Sequence, residues 1–363
     1  MAVDAVRARN SGEGPSAQPA PQGRQQNDAS VRGAAVPQRH NGSRHTYAAL
    51  DLGTNNCRLL VARPSPGGGF VVVDAFSRIV RLGEGLAASG RLSDAAMDRA
   101  VAALAVCADK LRRRNVSLSR AVATEACRRA VNGREFVERV HDETGIALDI
   151  IPPAEEARLA VLGCHTLLEP GDGPAVIFDI GGGSTELVLV ANDGAQPRIL
   201  GWASAPWGVV SLTESERGEA ADEPARLAAY GRMKARVAAS FAPFAKTLPV
   251  GSGEPRLLGT SGTVTTLASV HLGLPAYDRR AVDGLVMPAS AMRAIGTRLS
   301  RMSLDERIEL ACIGTERADL VVAGCAILEA IFDIWPTERL GIADRGIREG
   351  ILRGLMARDG YVV

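Results

Sequence analysis

From Tyr47 onward, apolar residues fall in short alternating blocks that end on glycine or proline, the pattern of strands closed by tight turns. Tyr47–Asp51 predicts a strand entering a turn, and Cys57–Ala62 predicts its hairpin partner. The run Phe70–Val73 follows a turn at Pro64–Gly69. The period then changes. Met97, Val101, Leu104 and Leu111 recur at helical spacing behind Ser93, which predicts a capped helix from Asp94 to about Arg114. Strands are expected at Ser119–Thr124 and Leu148–Ile151, with helices at Asn132–Glu143 and, after Pro152-Pro153, at Ala154–Leu168.

A turn-rich junction at Gly171–Pro174 precedes a restart of the same pattern. Ala175–Asp179 and Glu186–Val190 read as strands about the triplet Gly181–Gly183, with Arg198–Trp202 as a third. A helix over Pro224–Phe244 leads to a strand at Arg256–Leu258. Further helices are predicted at Ala291–Leu299, Leu304–Leu310 and Glu316–Phe332, with a last one from near Gly346. Strands and helices mixed in two successive halves predict an α/β protein with two lobes and a central cleft.

Composition narrows the class. Of 363 residues, 46% are hydrophobic, enough for a sizeable core. Residues 1–46 have almost no large apolar residues and read as a flexible tail, without the apolar core of a signal peptide. No later run is long and uncharged enough to cross a bilayer. The six cysteines are scattered without paired ligand spacing, so buried thiols in a reducing cytoplasm are expected. A formal charge of +1 does not advertise a nucleic-acid polymer as partner. Arginine outnumbers lysine 39 to 3, which leaves many rigid forks for phosphate oxygens.

Three glycine-rich turns carry the candidate chemistry. They are Asp51-Leu52-Gly53-Thr54-Asn55, Asp179-Ile180-Gly181-Gly182-Gly183-Ser184-Thr185-Glu186 and Gly259-Thr260-Ser261-Gly262-Thr263. Glycine lets backbone N–H groups approach bound oxygens, and hydroxyls add donors. Asp51 and Asp179 stand where strands give way to these turns, a placement suited to a hydrated Mg²⁺. Glu186 falls on the same strand face as Ser184, in position to organise water or metal. Glu155 and Glu156 open a helix. By spacing alone, either could point into a cleft while the other meets solvent, or both could complement the helix N-terminus. Arg58, Arg128, Arg129, Arg345 and Arg348 lie near turns. No P-loop lysine motif, dinucleotide glycine motif or Cys/His zinc cluster is present, and a serine triad lacks a convincing histidine.

Five ordered segments carry a resemblance. They are Leu50–Leu60, Ala123–Asn132, Asp179–Glu186, Gly259–Leu267 and Gly346–Gly350. Together they make the chain resemble the exopolyphosphatase and guanosine pentaphosphate phosphatase family of the actin-like superfamily, from about Tyr47 to Met356. The resemblance implies two actin-like (ribonuclease H-like) lobes, residues 47–170 and 171–363, with the final helix packing back on the first as an option. It implies Mg²⁺-dependent removal of a terminal phosphate from inorganic polyphosphate or guanosine pentaphosphate, in a cytoplasmic homodimer. It places the general base on Glu156 and gives Asp51, Asp179 and Glu186 metal and water. Phosphates would be held by Thr54, Asn55, Arg58 and Arg128, by Gly181, Gly182, Gly183 and Ser184, and by Gly259, Thr260, Ser261 and Gly262. Pro152-Pro153 and Asp283-Gly284 depart from the usual family pattern, where Ser-Gly and His-Gly are common. The carboxyl-terminal helical domains of longer members have no counterpart here. Two other classes stay open on the residues alone: a phosphate-sensing module without turnover, and an actin-like ATPase or small-molecule kinase.

Overall fold

A computed structural model describes residues 45–171, 175–191, 197–216, 222–247 and 255–363. Residues 1–44 of the expected tail and most of the junction at 171–174 lie outside the described residues, whereas Thr46, placed in the tail by the sequence, is buried and accepts from the Ser117 amide at 2.7 Å. Two sheets organise the rest. The first joins β1 (Tyr47–Leu52), β2 (Asn56–Pro64), β3 (Phe70–Ile79), β4 (Leu118–Ala123) and β5 (Leu148–Ile150) in the order β3-β2-β1-β4-β5. The second joins β6 (Ala175–Ile180), β7 (Thr185–Ala191), β8 (Arg198–Ala205), β9 (Arg256–Thr260), β10 (Val286–Pro288) and β11 (Arg339–Ala343) in the order β10-β11-β9-β6-β7-β8.

The same device recurs in both sheets. β1 is antiparallel to β2 and parallel to β4; β6 is antiparallel to β7 and parallel to β9. Asp51 and Asp179 are each the penultimate residue of the leading strand, paired across the hairpin with Arg58 and Glu186 respectively. Both aspartates therefore sit at the strand end from which a glycine turn departs, where an open α/β sheet presents its ligands.

Two helices join the layers. The Pro153–Cys164 helix begins with proline in its first turn, where a missing N–H leaves nothing unsatisfied. Its Leu159 and Ala160 pack with β1, β2 and β4, whereas Ala157, Val161 and Cys164 pack against β6, β7 and β9. The last helix, Ile347–Arg358, lays Ile351, Leu352, Leu355 and Met356 on the first sheet. The two helices meet backbone to backbone. A Cβ on Gly350 would fall far inside contact with the Leu159 carbonyl oxygen, and one on Gly163 would do the same with that of Gly346.

Ser93 caps the Asp94–Arg113 helix as its sequence predicts, its hydroxyl accepting from the Ala96 amide. Several boundaries differ. The helix predicted at Ala154–Leu168 ends at Cys164 and continues as a tighter turn over His165–Leu167. The helix expected from Glu316 starts at Val321, after a turn in which the Arg317 carbonyl accepts from the Leu320 and Val321 amides. The Gly262–His271 helix, directly after the third glycine turn, has no counterpart in the sequence expectations.

Candidate active site

The β1–β2 and β6–β7 turns face each other and define one wall of a cleft. Each is closed by its own backbone: Gly53 donates to Asn56 O at 2.9 Å and Gly181 to Ser184 O at 3.0 Å. They touch so closely that a Cβ on Gly182 would lie 3.0 Å from the Asn55 nitrogen, and one on Gly183 would lie 2.6 Å from Thr54 Oγ1. Glycine is required there by the approach of one turn to the other. The third turn closes the far side. Ser261 adopts φ 84°, a left-handed conformation costly for serine, and its hydroxyl donates to Ile180 O at 3.0 Å. Thr260 Oγ1 donates to Arg345 O at 2.6 Å.

Glu156 projects into this cleft from the first turn of the Pro153–Cys164 helix, only 6% exposed. Arg128 holds it: Nη1 donates to Glu156 Oε2 at 3.1 Å and to Ile151 O at 2.6 Å, while Nη2 donates to Glu125 Oε2 at 2.7 Å. Glu155 turns outward and accepts from Arg120 Nη1 at 2.7 Å and from Arg158. The ambiguity between the two adjacent glutamates is thus resolved by orientation.

The cleft wall contains most of the expected residues: Asp51, Thr54, Asn55, Arg58, Glu156, Asp179, Gly181, Gly182, Gly183, Ser184, Thr260 and Ser261. Four of the expected residues lie off this wall. Arg128 is not on the wall; it stands behind Glu156 with its donors already engaged. Glu186 is 1% exposed and lies behind the wall, where Oε1 accepts from Ser184 at 2.7 Å and Ser204 at 2.9 Å. Gly259 is inside β9, and a Cβ there would strike Phe178 and Val264. Gly262 opens a neighbouring recess with Arg317, Leu320 and Val321 instead. Conversely, Arg345 and Arg348 join the wall, signalled in the sequence only by proximity to a glycine turn, together with Asn56, Thr124, Glu125 and Asp344.

Charge in the cleft is distributed unevenly. Five carboxylates line it (Asp51, Glu125, Glu156, Asp179 and Asp344) against three guanidiniums, Arg58, Arg345 and Arg348. Glu125 and Glu156 share Arg128, and Asp344 meets Arg279 at 3.0 Å. Asp51 and Asp179 have no ion-pair partner among the described residues, and Asp51 Oδ1 is buried without a hydrogen bond. Burial, then Asp51, pushes Asp179 up to about 6. Burial, then Glu186, holds Glu156 well above the usual carboxylate range, with Arg128 opposing. Arg58 has its pKa lowered by burial and by Arg348, and neither arginine has an ion-pair partner among the described residues. Unpaired aspartates beside unpaired arginines form a wall whose charges suit a cation and an anion bound together.

Hard oxygen donors of this kind suit a small divalent cation that keeps several waters and shares its shell with a phosphate. Asp51 and Asp179 present such oxygens to the cleft. Glu186 stands behind them, 1% exposed, and among the described residues no three His, Cys, Asp or Glu side chains converge as a complete ligand cage.

Burial, then Asp179, raises Glu186 to about 7, with Ser184, Ser204 and Arg128 opposing. The folded state therefore holds a proton that the unfolded chain releases near 4.5. The associated stability is present below that pH and is lost as pH rises through about 7. Glu186→Gln keeps a hydroxyl acceptor but removes this loss. In metal-free thermal melts the variant gains Tm relative to the parent between about pH 5 and pH 8; a constant Tm difference contradicts the assignment.

The sequence pattern of the Ppx/GppA phosphatase family matches residues 60–359. The chain belongs to that family. It is 32% identical over 320 residues to exopolyphosphatase 2 of Mycobacterium tuberculosis, covering 85% of this chain and 98% of that one. The crystal structure of an exopolyphosphatase-like protein superposes with a TM-score of 0.77 at 28% identity, covering 86% of this chain and 99% of that one. The Aquifex aeolicus member of the family superposes at 0.70 with 27% identity over 87% and 99% of the two chains. The fold is the two-lobed actin-like α/β architecture of the family, and the chain is a phosphohydrolase. No described helix is long and apolar enough to cross a membrane.

Proposed function

We propose that this phosphohydrolase removes the terminal phosphate of inorganic polyphosphate, of guanosine pentaphosphate, or of both, with Mg²⁺ bound at Asp51 and Asp179. The observation that carries the reading is Glu156, a buried carboxylate held by one arginine and aimed into a cleft made of two apposed glycine turns. Of the other carboxylates on that wall, Asp51 and Asp179 are given to the cation in this reading, Asp344 is paired with Arg279, and Glu125 accepts from Arg128 through both Nε and Nη2, whereas Glu156 takes a single bond from it.

Phosphoryl transfer to water asks the protein mainly for position and charge. The amides of Gly182 and Gly183 and of Thr54–Asn55 hold the equatorial oxygens of the terminal phosphate, and Arg58 and Arg348 complement the bridging charge. Glu156 accepts the proton of a water held in line with the scissile bond, and Arg128 keeps its carboxylate on that line. Bound Mg²⁺ neutralises phosphate charge that would otherwise face five carboxylates. Glu186 acts from behind the wall by fixing Ser184.

The name of the Mycobacterium tuberculosis relative favours polyphosphate. A cytoplasmic location fits six cysteines that are all free thiols. A homodimer belongs to the same reading and rests on family resemblance. The test is phosphate release from polyphosphates of defined length and from guanosine pentaphosphate, each with Mg²⁺ and with chelator. Release is expected to fall to background on chelation and to return with Mg²⁺. Undiminished release in chelator overturns the metal assignment, and binding of both substrates without release favours a sensing module.

A further inference from the structure

Behind the cleft, a second groove of about 540 Å³ runs between the β2–β3 turn, the short Arg279–Val282 helix and the last helix. Its walls carry four arginines, Arg279, Arg280, Arg345 and Arg353, against two carboxylates, Asp283 and Glu349. The carboxylates are already used. Glu349 accepts from Arg279 at 2.8 Å, and Asp283 accepts from Arg345 Nε at 2.8 Å and from the Asp344 amide at 3.0 Å. Arg280 and Arg353 keep their charge with no ion-pair partner among the described residues, and Arg353 Nε is buried without a hydrogen bond. Burial, then Arg345, lowers the pKa of Arg353, the response of a cation that lacks an anion.

Arg345 lines both the reaction cleft and this groove. One guanidinium thus belongs to both walls, and Asp283 clamps it at the junction. The residue that departs from the common His-Gly pattern is the one that orients it. Two uncompensated arginines in a polar groove on the far side of Arg345 match a ligand bearing several phosphates in a row.

We propose that this groove is a distal subsite of the same active site, where Arg280 and Arg353 hold phosphates of a linear chain whose terminal phosphate occupies the cleft, and where Arg345 bridges the two. The inference rests on the polyphosphate reading above. It makes chain length a property read by the Arg280–Arg353 groove.

The test uses the full chain and the double variant Arg280→Gln/Arg353→Gln, with a melt to confirm folding. For long-chain polyphosphate, KM is expected to rise about tenfold as two charge-assisted contacts are lost. For tripolyphosphate, which the proposal confines to the cleft, kcat/KM is expected to change by less than about twofold. Equal changes for both lengths, or none, overturn the proposal. Equilibrium binding in the Glu156→Gln background separates this outcome from failure of the functional reading. Long chains should bind at one per protein and weaken in the triple variant whether or not the parent turns over polyphosphate. Tripolyphosphate binding at two sites per protein, with the second lost on removing Arg280 and Arg353, identifies a separate anionic effector site and overturns the continuous track. If the double variant fails to fold, Arg280→Gln alone, an exposed change, carries the same comparison.

Discussion

Glu156→Gln lowers kcat by about 10²–10⁴-fold while KM stays within a few-fold. Glutamine keeps the length, the shape and an oxygen that accepts from Arg128, so the change removes proton acceptance and leaves the wall in place. Arg128 does not become an orphaned buried charge, because Glu125 accepts from it through Nε and Nη2 at 3.2 and 2.7 Å. Steady-state kinetics with a saturating Mg²⁺ control, and a melting temperature within about 2 °C of the parent, check the expectation. A variant with parental kcat removes Glu156 from the chemistry. Because burial and Glu186 hold this carboxyl high, parental activity rises with pH as Glu156 deprotonates, and that limb is lost in the variant.

The second large effect arises away from the chemistry. Gly350→Ala drives a methyl group into the Leu159 carbonyl, where the obstacle is backbone and cannot rotate aside. Overpacking of this kind costs about 1–3 kcal/mol, and a Tm lower by about 2–5 °C follows for a chain of this size. Activity falls as well. The displaced helix starts beside Gly346–Arg348 on the cleft wall, and the helix it crosses carries Glu156. Gly354→Ala supplies the control within the same helix, since nothing lies within 4 Å of a Cβ there. Its higher helix propensity should leave Tm unchanged or raise it slightly. Equal losses at both positions would show that helix propensity rather than the crossing governs the effect.

Much of this arrangement is legible in the amino-acid sequence. The glycine turns announce themselves by composition, and the strands leading to them by short apolar runs that stop at aspartate. Ser93 marks its helix because capping is a local event. What escapes notice is decided by partners distant in the chain. The Gly262–His271 helix opens on Gly-Thr-Val-Thr-Thr, a run of weak helix formers, and forms because Thr263, Val264, Leu267 and Ala268 are buried. Arg128 reads as a phosphate ligand until Ile151 and Glu156, more than twenty residues away, are seen to occupy it. Glu155 and Glu156 differ by one step around a helix, and only the position of Arg120 on β4 shows which of them faces out. The distal groove is harder still, since its residues come from three separated segments.

The scarcity of lysine has a final consequence. Among the described residues, no histidine, lysine, tyrosine or cysteine lines the reaction cleft, and each cation on its wall is a guanidinium. Guanidinium groups keep their proton across the alkaline range open to a folded protein. The positive side of the anion's cradle is therefore permanent, and acid–base behaviour at this surface is written by acidic side chains alone.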